Sequence, residues 1–113
     1  MNKPKKKSKK QNIVSPEIYQ LLVQAQPLIE SDPVKAEQIL RKVLETDPKN
    51  ADAHHFLGVI ASNFGHHEDA KKHYRKAIKA SPKTSQLHNN LGIVFTHLGE
   101  LSKATECFKK AIY

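Results

Sequence analysis

The side chains able to do chemistry are few. Seven histidines all follow residue 53 (His54, His55, His66, His67, His73, His88 and His97), and one cysteine, Cys107, stands near the end. Imidazoles make a metal centre only when several converge within ~2.0–2.1 Å of one ion. His54 and His88 are 34 residues apart, and helices carrying them would hold them about 10 Å apart. His66 and His67 are neighbours whose side chains point apart, so no metal site and no cofactor is expected. The histidines are expected as surface and half-buried polar filler, whose protonation near pH ~5–6 would add positive charge. Cys107 has Phe108 beside it and neither a base nor a glycine-rich turn to activate it. A single cysteine forms no intrachain disulfide and no zinc cluster, which points to a reducing, intracellular setting. Glu68-Asp69 suits the first turn of a helix, where carboxylates complement the dipole. No Ser/His/Asp signature, phosphate loop or dinucleotide fingerprint is present. The expected class is a binding protein rather than an enzyme, with no catalytic residue.

The charge is the second feature that can act on a partner. The 113 residues carry 19 Lys+Arg against 11 Asp+Glu, a formal net charge of +8. Lys3, Lys5, Lys6, Lys7, Lys9 and Lys10 account for six of those charges, and residues 1–12 contain no acid. Residues 1–16 are therefore expected as a basic, disordered tail and leader. Such a run serves as a solubilising end, as a nuclear-import signal in a eukaryote, or as a non-specific contact to nucleic acid or anionic membrane. No aromatic residue interleaves with the lysines to stack on bases. No stretch approaches the ~18 apolar residues of a transmembrane helix, and the basic start lacks the apolar run of a secretory signal. The expected location is cytoplasmic, or nuclear if the lysine run is an import signal.

The elements that must position these residues follow from a repeat. Gly58 and Gly92 are 34 residues apart, as are Gly65 and Gly99, Leu57 and Leu91, Ala70 and Ala104, Tyr74 and Phe108, Ala77 and Ala111, Pro48 and Pro82, and His54 and His88. Extended backwards, the offset pairs Ala36 with Ala70 and Leu40 with Tyr74, which frames units at 17–50, 51–84 and 85–113, the last incomplete. Each unit is expected as two helices. Ala53, Phe56, Leu57, Ile60 and Phe64 fall on one helical face, and so do Ala70, Tyr74, Ala77 and Ile78. Ser15-Pro16 and Asp32-Pro33 are helix starts, a side-chain cap followed by proline in the first turn. Pro27 inside the first helix is expected to kink or shorten it. Gly58 gives a crossing helix room to approach, and Gly65 can take φ > 0 in the turn.

This spacing resembles the tetratricopeptide repeat family: His54-x2-Leu57-Gly58, Ala70-x3-Tyr74, Ala77 and Pro82, then His88-x2-Leu91-Gly92, Ala104-x3-Phe108 and Ala111, with Gly65 and Gly99 in the turns. Histidine replaces the family's opening aromatic twice. In the first unit Gln24 stands in place of the glycine, which fits a degenerate starting cap. The resemblance implies an all-α solenoid, a right-handed superhelix of about three repeats. It also implies a protein-interaction scaffold that holds a peptide or helix of a partner in a concave groove lined by the first helices, at roughly 17–30, 52–64 and 86–98. Those helices contain no Lys or Arg, so the carboxylate-gripping subtype of the family is disfavoured. Gln20, Asp52, His55, Asn63, Gln86, Asn89, Asn90 and His97 are the expected groove residues. Asn90, before Leu91-Gly92, resembles the asparagine ladder of arrays that hold extended backbone. An alternative is a substrate-recruiting repeat segment of a larger enzyme such as a glycosyltransferase or sulfotransferase. A third reading is a nucleic-acid or membrane adaptor working through the tail. A solenoid end exposes an apolar face, so a continuing chain, another copy or a partner is expected to cover the last helix.

Overall fold

The computed structural model describes residues 15–112. The lysine tail assigned to Lys3–Lys10 lies outside the described residues. Six helices follow one another: α1 Pro16–Ser31, α2 Pro33–Thr46, α3 Ala51–Asn63, α4 His67–Ala80, α5 Ser85–His97 and α6 Leu101–Ile112, with no strand among the described residues. They pack as the pairs α1/α2, α3/α4 and α5/α6, each pair stacking on the next, and α1 also touches α3. The array is long and thin, 51 × 33 × 19 Å. The expected all-α solenoid of helix–turn–helix repeats is the observed fold.

The helix starts show their causes. Ser15 accepts the Ile18 N–H at 3.1 Å, Asp32 accepts that of Lys35 at 3.2 Å, and Asn50 accepts that of Ala53 at 2.8 Å. Each satisfies one of the donors that a helix N-terminus leaves free. Two of these caps are followed by proline, whose missing N–H costs nothing in the first turn. The turns inside the second and third pairs share one geometry. Gly65 and Gly99 have φ of 76° and 77°, which side-chain-bearing residues adopt only at a cost. The following N–H then closes back on the helix, His66 to the Ala61 carbonyl at 2.8 Å and Glu100 to that of Phe95 at 2.9 Å.

Packing within the pairs depends on the other two glycines. A Cβ on Gly58 would lie 2.6 Å from the Tyr74 ring, and one on Gly92 would lie 2.6 Å from the Phe108 ring. The aromatic side chain of the second helix thus rests on bare backbone of the first. Ala70 and Ala77, both fully buried, flank the Tyr74 contact. The core falls into two clusters. One joins α1, α2 and α3 around Leu22, Ala25, Leu40, Val43 and Leu57; the other joins α4, α5 and α6 around Tyr74, Leu87, Leu91, Val94 and Phe95. Gln24 is exposed, and the small buried residue of α1 is Ala25.

Pro27 does not shorten its helix. With 16 residues α1 is the longest of the six and runs through the proline. Pro27 and Val23, the residue whose carbonyl loses its donor, are both exposed, so water can serve that carbonyl. The Ser31 hydroxyl donates to the Pro27 carbonyl at 3.2 Å.

Candidate binding groove

The first helix of each pair contributes to one side of the array. Near its middle the C-terminal half of α1, the start of α3 and the start of α5 enclose an open cleft of about 510 Å³. Gln26, Pro27, Ile29 and Glu30 come from α1, Asp52, His55, Phe56 and Val59 from α3, and Gln86 from α5. Helical spacing explains the α3 set, because residues three, four and seven apart share a face. Asn90 of α5 donates its side-chain N–H to His55 Nε2 at 3.3 Å, a bond between neighbouring pairs. His55 Nε2 is then an acceptor and its proton sits on Nδ1. The ring stacks on Phe56, centroids 5.2 Å apart. Burial pushes the His55 pKa down against the pull of the Asp52 carboxylate, so the ring is neutral at pH 7.

Of the expected groove residues the structure brings together Asp52, His55 and Gln86, with Asn90 joined through His55. Gln20, Asn63 and Asn89 are exposed and do not line the cleft. His97, the last residue of α5, is also outside it and stacks flat on His67, with centroids 4.5 Å apart and planes 6° apart. Sequence reasoning missed the cleft's apolar lining and Glu30. The repeat carried a signal for the former, since Phe56 occupies the place of Asn90 and Val59 that of Ile93, which is 44% exposed.

The reading of every histidine as filler is corrected for two of them. His54 and His88 are buried, 5% and 8% exposed, and their Nε2 atoms donate to the carbonyls of Pro48 at 2.9 Å and Pro82 at 2.7 Å. Where the repeat pattern places an aromatic, each imidazole is buried and pins the connector before its own helix. His54 Nδ1 and His73 Nδ1 lie 3.2 Å apart, a hydrogen bond in which one ring N–H donates to the other ring's nitrogen. Burial, then the neighbouring His54, Arg41 and Lys76, push the His73 pKa down to about 4, with Asp69 opposing. Cys107 is buried, and burial pushes its thiol pKa up, the opposite of an activated nucleophile.

A second cleft, of about 400 Å³, opens between α2 and α4 over α3. Two of its charged residues already satisfy each other, Arg41 bonding Glu37 at 3.0 Å. The α1–α3–α5 cleft differs, because neither Glu30 nor Asp52 is among the ion pairs of the described residues.

The comparisons with known proteins agree with this geometry. Among solved structures, the chain resembles MamA with a TM-score of 0.76 at 23% identity, covering 84% of this chain and 56% of that one. It resembles an O-GlcNAc transferase of Thermobaculum terrenum with a TM-score of 0.79 at 27% identity, covering 88% of this chain and 20% of the transferase. It also resembles the second repeat domain of Spaghetti (RPAP3), solved with an HSP90 peptide, with a TM-score of 0.79 at 17% identity, over 86% of this chain and 91% of that one. The chain thus spans just over half of that MamA chain and a fifth of the transferase. No curated protein sequence matches it significantly. Two sequence patterns described as tetratricopeptide repeat match, one over residues 28–89 and one over 85–113. With 34-residue spacing, paired helices, and an aromatic ring seated on a glycine in the second and third pairs, the chain belongs to the tetratricopeptide repeat family.

Proposed function

We propose that this chain is a protein-interaction module and that the cleft between α1, α3 and α5 holds a segment of a partner protein. The supporting observation is the cleft itself: a concave surface with an apolar lining, Ile29, Phe56 and Val59, and convergent polar groups, Asp52, His55 and Gln86. That composition is the usual one for a recognition site. Family membership adds to the argument, as does the peptide bound by the RPAP3 domain. Peptides selected from a displayed library on the immobilised chain supply the test. They should bind the full chain and lose most affinity with His55→Ala and Asn90→Ala together, while circular dichroism stays unchanged. Equal loss from Lys72→Glu with Lys76→Glu on α4 would place recognition on the other side of the array.

The transferase likeness favours a second reading, in which the chain is a substrate-recruiting segment of a larger enzyme. Both readings assign binding, not catalysis, to these residues. Self-association is a further part of the proposal: α6 exposes Leu101 and Ile112, at 63% and 77%. Sedimentation that stays monomeric at high concentration would count against it.

A further inference from the structure

The two sides of the array differ in charge. The first helices, α1, α3 and α5, carry the carboxylates Glu17, Glu30 and Asp52 and no Lys or Arg. The second helices, α2, α4 and α6, carry eleven Lys and Arg (Lys35, Arg41, Lys42, Lys71, Lys72, Arg75, Lys76, Lys79, Lys103, Lys109 and Lys110) against five carboxylates. Among the described residues the Lys and Arg thus lie on the second helices and the connectors, none on the first helices. The three ion pairs of the described residues all lie within the second helices or at their starts, Arg41–Glu37, Lys71–Glu68 and Lys103–Glu100. The acids of the first helices are left out.

Glu30 is the informative residue. It sits in the last turn of α1, which has no basic residue. Carbonyl groups there give a partial negative charge, so a carboxylate is disfavoured by ~0.3–1 kcal/mol. Helix stability therefore does not explain Glu30, whereas Asp52, in the first turn of α3, is favourably placed. Both line the same cleft, with Ile29, Phe56 and Val59 between neutral Gln26, His55 and Gln86. No group lining the cleft offers a positive charge at pH 7 to a carboxylate or phosphate.

We propose that the cleft selects a basic–apolar segment of a partner protein, its cationic side chain held by Glu30 and Asp52 and its apolar side chain resting on Ile29, Phe56 and Val59. This deepens the proposed function and rests on the cleft being the binding surface. Acidic segments are disfavoured there by the same two carboxylates.

The test uses the full chain and three short, capped, fluorescent peptides of one design, a Leu-Leu pair flanked by Lys, by Gln or by Glu. Anisotropy at about 150 mM salt, where surface charges act over ~8 Å, should give the order Lys, then Gln, then Glu. Replacing the acids, as Glu30→Gln with Asp52→Asn, should weaken the Lys peptide about three- to tenfold and leave the Gln peptide unchanged. Reversing them, as Glu30→Lys with Asp52→Lys, should make the Glu peptide the preferred one, a gain that a damaged fold would not give. If Lys and Gln peptides bind equally and both are lost with His55→Ala and Asn90→Ala, the cleft reading stands and the basic preference is overturned. If binding follows Lys72 and Lys76 instead, the cleft reading itself fails. Absence of binding by all three peptides overturns the basic–apolar preference.

Discussion

At the scale of single residues, the histidines show how position changes what one side chain does. His54 and His88 hold connectors, His55 lines the cleft, and His73 shares a hydrogen bond with His54. His73 has a consequence for pH. Its folded pKa is pushed down to about 4 from the ordinary 6.5, chiefly by burial and then by His54, Arg41 and Lys76. Between those values the unfolded chain binds a proton that the folded chain does not, so protonation favours unfolding. The contribution is complete above pH 6.5 and is lost as pH falls from there towards 4. Urea midpoints at pH 7.5, 6 and 5 should therefore decline, and the decline should be shallower in His73→Gln. Identical slopes in the two proteins would show that His73 is not the titrating group. Sequence spacing could not reveal this role. The partner lies 19 residues away on another helix, and only packing brings the two Nδ1 atoms within 3.2 Å.

At the scale of helices, most of the structure was legible. A 34-residue offset shared by all four glycines reflects two local demands repeated in space, a left-handed turn residue and a bare patch of backbone under a ring. Both are properties of a single position, so the sequence displays them directly. Prolines at helix starts were legible for the same reason. That α1 keeps its length through Pro27 was not, because the cost of the proline depends on which way the helix faces. Buried, the orphaned Val23 carbonyl would be expensive; on an exposed residue, water can reach it. Some cost remains, since proline in a helix interior is ~3 kcal/mol worse than alanine. Pro27→Ala should raise the unfolding free energy by about 1–3 kcal/mol without changing the slope of its denaturant dependence. A neutral or destabilising result would mean that the ring's packing at the cleft outweighs the missing hydrogen bond.

At the scale of the whole molecule, the groove was legible as a class of surface and not as a place. The absence of Lys and Arg from the first helices was visible in the sequence, yet Glu30 and Ile29 join Asp52 and Phe56 only because α1 packs on α3. The core has a similar property. By their buried residues its two clusters do not coincide with the repeats, α3 falling with α1 and α2 and α4 with α5 and α6, while Val59 of α3 packs against both. The middle pair is therefore shared between two cores, and neither of its helices completes one alone. In a stacked array each unit depends on its neighbours, and the face of α4 turned to α5 is one such dependence. Ala70, Tyr74 and Ala77 of α4 are covered by Leu87, Leu91, Val94 and Phe95 of α5. A chain ending at Ala80 keeps the Gly58–Tyr74 contact but loses that cover, and fully burying each such side chain is worth ~1.5–3 kcal/mol. Truncation should therefore melt α4 as well as removing α5 and α6. Helicity per residue by circular dichroism should fall below that of the full chain, and hydrogen exchange should be fast in 67–80 and slower in 51–63. A truncated chain with undiminished helicity per residue and protected α4 amides would show instead that the α3–α4 pair is self-sufficient, and that the two clusters are one core.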